Sequence, residues 1–287
     1  MMYEAKIENS GGEILSLTGN ENRWQLFDIS GLDPPKATVN LTNLAGMDGA
    51  LFNSAKVSTR NLVISLKITG DIEANRLELY RFFRPKHQCV FYFKNKRRDV
   101  KIEGVVESVE CTQFTNKEIM QASILCPASY FQDIEEIIAD MSDSSAGFVF
   151  PFSIDINEPI PFSEYTIGKQ TSVINTSETD VGVLFEVFFL AAANKIVIVN
   201  VGTGETMEAN YSFLPGDTLK ISTGTGNKKV TLVRGGVARN LFLALSDDSV
   251  FLQLEPGNNT FSYLVDDGTN DQNATVTLRY RELYAGV

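Results

Sequence analysis

KVSTRNLVISLKI, residues 56–68, alternates with period two. Val57, Thr59, Asn61, Val63, Ser65 and Lys67 share one face, and Leu62, Ile64, Leu66 and Ile68 share the other. Successive side chains of a strand point to opposite sides of its sheet, so this pattern predicts a long strand buried on one face. The alternation recurs at residues 36–41, 88–94, 99–109 and 120–126, which read as strands too. One segment departs from it. IEANRLELYRFFR (72–84) brings Ile72, Leu79, Tyr80 and Phe83 to one face at helical spacing, with Asp71 placed to cap its start and Pro85 to end it. Strand, helix, strand, strand over 56–110 predicts an α+β arrangement rather than a repeating βαβ array.

Downstream the pattern becomes strand and turn throughout. Strands are expected at 148–156, 173–175, 183–190, 196–200, 206–210, 218–222, 229–233, 250–254, 260–264 and 274–281. Turn signals separate them: Pro215-Gly216-Asp217, residues 224–228, Gly235-Gly236, Pro256-Gly257-Asn258 and Asp266-Asp267-Gly268. Many short strands at close spacing predict an antiparallel sandwich. QDIEEIIADMSDSSAG (132–147) lies between the two patterns and reads as a short helix or irregular linker.

Charge changes at the same place. Residues 1–133 carry 16 basic and 16 acidic side chains, and residues 134–287 carry 9 and 20, which gives the 287-residue chain its net charge of -11. The expected domains are therefore 1–133, a linker at 134–147, and 148–287. An acidic second half repels phosphates and anionic lipid, which argues against nonspecific nucleic-acid or membrane binding there.

A single histidine, His87, excludes a His/His metal site. Cys89, Cys111 and Cys126 form no CxxC pair and sit in apolar or alternating runs, as small core residues do. The start MMYEAKIENS does not read as a secretory signal. The longest apolar run, VGVLFEVFFLAAA (181–193), contains Glu186 and is too short to span a bilayer. The expectation is a chain made in a reducing cytoplasm.

No constellation in the chain carries chemistry. VIVNVGTGET (197–206) lacks the third glycine of a dinucleotide loop and has no helix pattern behind it, so it reads as a tight hairpin. The acidic pairs Glu135/Glu136, Asp247/Asp248 and Asp266/Asp267 lie in linker or turn composition, and the run 266–271 has oxygen ligands for calcium but no EF-hand glutamate. Catalytic, cofactor and metal residues are accordingly expected to be none. The stretch around Trp24 (NRWQLFDISGLDPPK) reads as an exposed turn suited to docking. RPKHQCVFYFKNKRRDVK (84–101) concentrates positive charge, and its Asn95-Lys96-Arg97-Arg98 segment reads as a hairpin tip. Lys94, Lys96, Arg97 and Arg98 are the candidate interface residues, facing an acidic neighbouring subunit.

The order of features resembles a known family. An aromatic-rich turn (Trp24 to Pro35) precedes the loop LAGMDGA (44–50), the long strand, the single helix, the basic hairpin and the step CPASYF (126–131). The second half adds Asn200-x-Gly202-x-Gly204, FLPGD (213–217), Gly235-Gly236, LEPGN (254–258) and LRYRELY (278–284). In this order they resemble the distal tail proteins of siphophages and prophages of Gram-positive bacteria. The resemblance implies a mainly β chain: a β-sandwich-like, ring-forming α+β domain with one helix and a long β-hairpin, then a galectin-like antiparallel β-sandwich. It implies a structural subunit of the tail tip or baseplate hub and no enzyme. The subunit forms a homo-hexamer that joins the tail tube protein to the tail-tip (tail-associated lysin-like) protein and contacts receptor-binding or other baseplate proteins. DNA passes through the ring without specific binding, and the protein, made in the host cytoplasm, ends in the virion tail tip. The alternative reading is carbohydrate binding by the second domain, with Tyr165, Tyr211 or Tyr263 as the stacking aromatic in a half that lacks Trp.

Overall fold

The computed structural model describes residues 3–19, 22–46, 48–112, 118–141 and 170–287. The expected strand at 148–156, most of the expected linker and Tyr165 lie outside them. The chain forms two compact units: residues 1–134 with 283–287, and residues 135–282.

The first unit holds β1 (Glu4–Asn9), β2 (Ile14–Ser16), β3 (Trp24–Ser30), β4 (Ala37–Asn43), β5 (Ala50–Val57), β6 (Arg60–Ile68), β7 (Gln88–Lys94), β8 (Asp99–Cys111), β9 (Ile119–Cys126) and β10 (Phe131–Asp133). Its main sheet runs β2-β1-β7-β8-β9-β6-β3, every pair antiparallel. The sheet curls until its edges meet: Trp24 Nε1 on β3 donates to the Ser16 carbonyl on β2 at 3.0 Å. The enclosed face buries Leu62, Ile64, Leu66 and Ile68 of β6 with Phe91, Ile102, Ala122 and Ile124 from its neighbours. That is the face read from the alternation. The long strand itself is broken at Ser58-Thr59, where β5 gives way to β6.

The helix α1 (Ile72–Phe82) starts as its sequence demands, with Asp71 Oδ1 accepting from the Ala74 amide at 3.1 Å. Its buried side is Asn75, Leu79 and Phe82, while Ile72 is exposed. Asn75 takes the place expected of Ile72 because its amide group donates to the Thr69 and Arg23 carbonyls, closing the turn that precedes the helix. Trp24 also departs from expectation. It is 1% exposed and belongs to the core; the exposed aromatic of that stretch is Phe27, at the bulge where β3 shifts register on β6.

The second unit holds β11 (Ile137–Asp140), β12 (Gln170–Asn175), β13 (Val181–Gly182), β14 (Leu184–Phe189), β15 (Ala193–Asn200), β16 (Thr206–Phe213), β17 (Thr218–Ser222), β18 (Lys229–Arg234), β19 (Val237–Asn240), β20 (Gln253–Leu254), β21 (Gly257–Val265) and β22 (Ala274–Tyr280). One sheet runs β11-β22-β14-β17-β18-β19 and the other β12-β21-β15-β16. Aromatic pairs lock the two face to face: Phe185 against Phe261 at 5.7 Å, edge-on, and Phe189 stacked on Phe213 at 4.2 Å. This is an antiparallel β-sandwich.

Two features of this unit escaped the sequence reading. Residues 137–140, read as linker, form a strand on β22. The other is β19, an edge strand too short and too exposed to show alternation; the two-residue turn that starts it is the expected one at Gly235 and Gly236, both at positive φ. The last strand, β23 (Leu283–Tyr284), leaves the sandwich and pairs with β10 in the first unit.

Candidate functional site

Asparagine chemistry builds the basic tip. The Asn95 side-chain oxygen accepts from the Arg97 and Arg98 amides at 2.8 and 2.9 Å, and the Asn95 amide bonds the Arg98 carbonyl, which turns β7 into β8. The four candidate cations then part company. Lys94 pairs across the hairpin with Asp99 at 2.6 Å. Arg98 donates to the Gly286 carbonyl and lies over the Tyr284 ring at 4.4 Å. Lys96 and Arg97 stay exposed. They rim a groove of about 490 Å3 floored by Phe93 and Tyr3, whose rings stack at 6.2 Å.

Arg98 is one of several anchors of the returning segment 283–287. Tyr284 Oη donates to Asp133 at 3.0 Å, and the Val287 amide bonds the Leu32 carbonyl. The central anchor is Arg60. Its side chain is 3% exposed, stacks on Phe131 at 4.3 Å, and donates to the carbonyls of Gly31, Asp33, Ser129 and Ala285. Burial pulls its pKa down, opposed by the Cys126 thiol and by Asp33. Nothing in the sequence marks this residue, because its partners are backbone carbonyls.

Every residue of the β4 and β5 strands, which form a hairpin in the first unit, is exposed. Both strands are solvent-exposed on both faces, with Val39, Leu41, Leu51 and Phe52 each at least half exposed. Leu41 and Phe52 are register partners, and the strands are clipped by side-chain bonds Asn40–Ser54 and Asn53–Thr42 rather than by a core.

Several of the remaining sequence candidates have local structural work. Asp266 Oδ1 accepts from the Asn194 and Lys195 amides, Asp267 pairs with Lys195, and Asp271 accepts from the Val265 amide, so these carboxylates close loops. Glu136 pairs with Arg279 and Arg281. The Asn200 side chain accepts from the Gly202 and Thr203 amides and turns β15 into β16. His87 is exposed in the turn before β7. Among the described residues no group of His, Cys, Asp and Glu is arranged to hold a metal ion, and no helix is long and apolar enough to cross a membrane. Of the tyrosines offered for sugar stacking, the two among the described residues are not free platforms. Tyr263 is fully buried, and Tyr211 is half-buried with the Arg234 guanidinium over its ring.

Comparison with known proteins gives the arrangement a context. Residues 176–284 match the siphovirus-type tail component, C-terminal domain. The SPP1 Dit crystal structure, described as a hub adsorption apparatus of phages infecting Gram-positive bacteria, superimposes with a TM-score of 0.69 at 14% identity, over 98% of this chain and 99% of that one. Chains of the phage p2 baseplate in its activated conformation align over the full length of both chains. With Ca the TM-score is 0.56 at 12% identity, and with Sr it is 0.55 at 11%. A search of curated proteins finds no match. The second unit thus matches the C-terminal domain of the siphovirus-type tail component family, and the whole chain has the fold of SPP1 Dit.

Proposed function

We propose that this chain is a structural subunit of a phage or prophage tail-tip hub, whose first units close into a hexameric ring joining the tail tube to the tail-tip apparatus around the DNA channel. The observation that carries the reading is the β4–β5 hairpin. A two-stranded ribbon exposed on both faces has no core of its own, and isolated hairpins are at best marginally stable. Its apolar residues gain from burial only against another molecule. A neighbouring copy supplies that surface in a closed ring, where each subunit gives one face and receives another. The full-length likeness to hub and baseplate structures supports the same reading.

Lys96 and Arg97 are the remaining candidates for a charged contact between subunits, with Lys94 and Arg98 held within their own unit. No catalytic role is proposed. Light scattering across a concentration series tests the ring: a mass rising to six times that of the chain supports it. L41S/F52S should then remain monomeric while melting like the parent. A parent that stays monomeric at every concentration, alone and with its tail tube protein, overturns the reading.

A further inference from the structure

The second unit is acidic, yet its positive charges are not evenly neutralised. Lys195, Lys220, Arg234, Arg279 and Arg281 each have a carboxylate partner. Among the other described cations of this unit, Lys228, Lys229 and Arg239 have none, and all three border one groove of about 330 Å3 at the β18–β19 end of the sandwich. A cationic face in a half with a net charge of -11 selects an acidic partner.

The backbone beside this groove is open. The Leu241 amide bonds the Val230 carbonyl, so in the β18–β19 register the hydrogen-bonded pairs are 230/241, 232/239 and 234/237. Antiparallel pairs alternate, which turns the N–H and C=O groups of Ala238 and Asn240 away from β18, toward the free side of the sheet. Cations on an edge strand also serve to keep it from aggregating. That purpose does not account for the apolar groups beside them. Leu243 is 99% exposed, Val237 56% and Phe242 45%, with Phe242 stacked on Phe251 at 5.8 Å and Lys228 over the Phe251 ring at 5.0 Å. Open ladder groups, apolar knobs and unpaired cations together are the elements of strand addition: main-chain bonds give affinity and side chains give selectivity.

We propose that the free edge of β19 receives an extended acidic segment of a partner protein as an added strand, with Lys228, Lys229 and Arg239 reading its carboxylates and Phe242 and Leu243 covering its apolar side chains. The surface lies wholly in the second unit and stands independently of ring formation.

The test uses the full chain and a fluorescent ten-residue peptide of alternating Glu and Val, read by anisotropy, with a Lys/Val peptide as control. The Glu/Val peptide should bind and the Lys/Val peptide should not. Binding should weaken at least tenfold in K228E/K229E/R239E and several-fold in L243S, whose exposed side chain has no part in folding. A238P removes one outward donor without touching the β18 ladder and should also weaken binding several-fold. Absence of Glu/Val binding overturns the proposal. So does binding that A238P leaves unchanged and inorganic polyphosphate displaces, since that marks a general anion patch. Neither result bears on the mass measurement that tests the ring.

Discussion

Arg60 Nη2 donates to the Ala285 carbonyl at 2.6 Å, so a residue at the start of β6 holds the segment that follows the second unit. The same guanidinium reaches Gly31, Asp33 and Ser129. Four carbonyls from three chain segments therefore meet on one planar fork, which a lysine cannot reproduce. R60M should lose roughly 3 kcal/mol in the first unit, because buried carbonyls are left without donors. R60K should recover only part of that. The single tryptophan, Trp24, is buried in this unit, so its fluorescence in urea reads the loss directly. An unchanged midpoint would show that the fork is replaceable by water.

Acid should act first on the second unit. Asp217, 1% exposed, receives bonds from Arg234 at 2.6 and 2.8 Å and from the Leu214 amide, and these hold its pKa below the ordinary carboxylate value. Glu186 is held down as well, chiefly by Lys220 and further by Arg279. A depressed folded pKa stabilises above the unfolded value of about 3.9 to 4.3, and that stability disappears as pH falls through the folded value. The second unit should thus weaken progressively below about pH 4. D217N should be about 2 kcal/mol less stable at pH 7 and should show a flatter acid limb. Circular dichroism melts from pH 7 to pH 2 check both.

Thiol chemistry should be slow. Burial, with Cys126 nearby, pushes the Cys89 thiol up to about 12, and burial pushes Cys126 up to about 11. Burial raises Cys111 too, though that residue is only half-buried. At pH 8 an aromatic disulfide reagent should leave Cys89 and Cys126 intact in the native chain and titrate all three thiols in urea. Rapid loss of more than one thiol without denaturant would contradict the packing around β7 and β9.

Fragment boundaries matter. A piece covering 135–282 keeps β11 on β22 and should fold as a cooperative domain. A piece covering 148–287 discards that strand and carries 283–287, whose partners are β10, Leu32, Arg60 and Arg98. It should be the less stable and less soluble of the two in matched thermal melts.

The contrast between these fragments shows what was legible in the chain. Alternation located β6 through β9 and β14 through β18 because a buried face imposes period two, and Gly and Pro marked their turns. The exposed ribbon β4–β5 was located in part, though alternation there does not separate inside from outside. Trp24 was misplaced because its burial depends on β2 closing over β3, a long-range contact with no local signature. Arg60 was overlooked for a related reason: its four partners are main-chain oxygens, which any residue supplies. The basic tip was visible as charge, but only geometry divided Lys96 and Arg97 from Lys94 and Arg98.

The return of β23 to β10 makes the second unit, in sequence, a guest inserted within its host. During synthesis the host cannot complete its sheet when its own first 134 residues have left the ribosome. It must wait for the guest to be translated and for residues 283–287 to emerge. A chain that stops short of residue 283 therefore leaves one edge of β10 open and Arg60 one carbonyl short, with Gly31, Asp33 and Ser129 still bound.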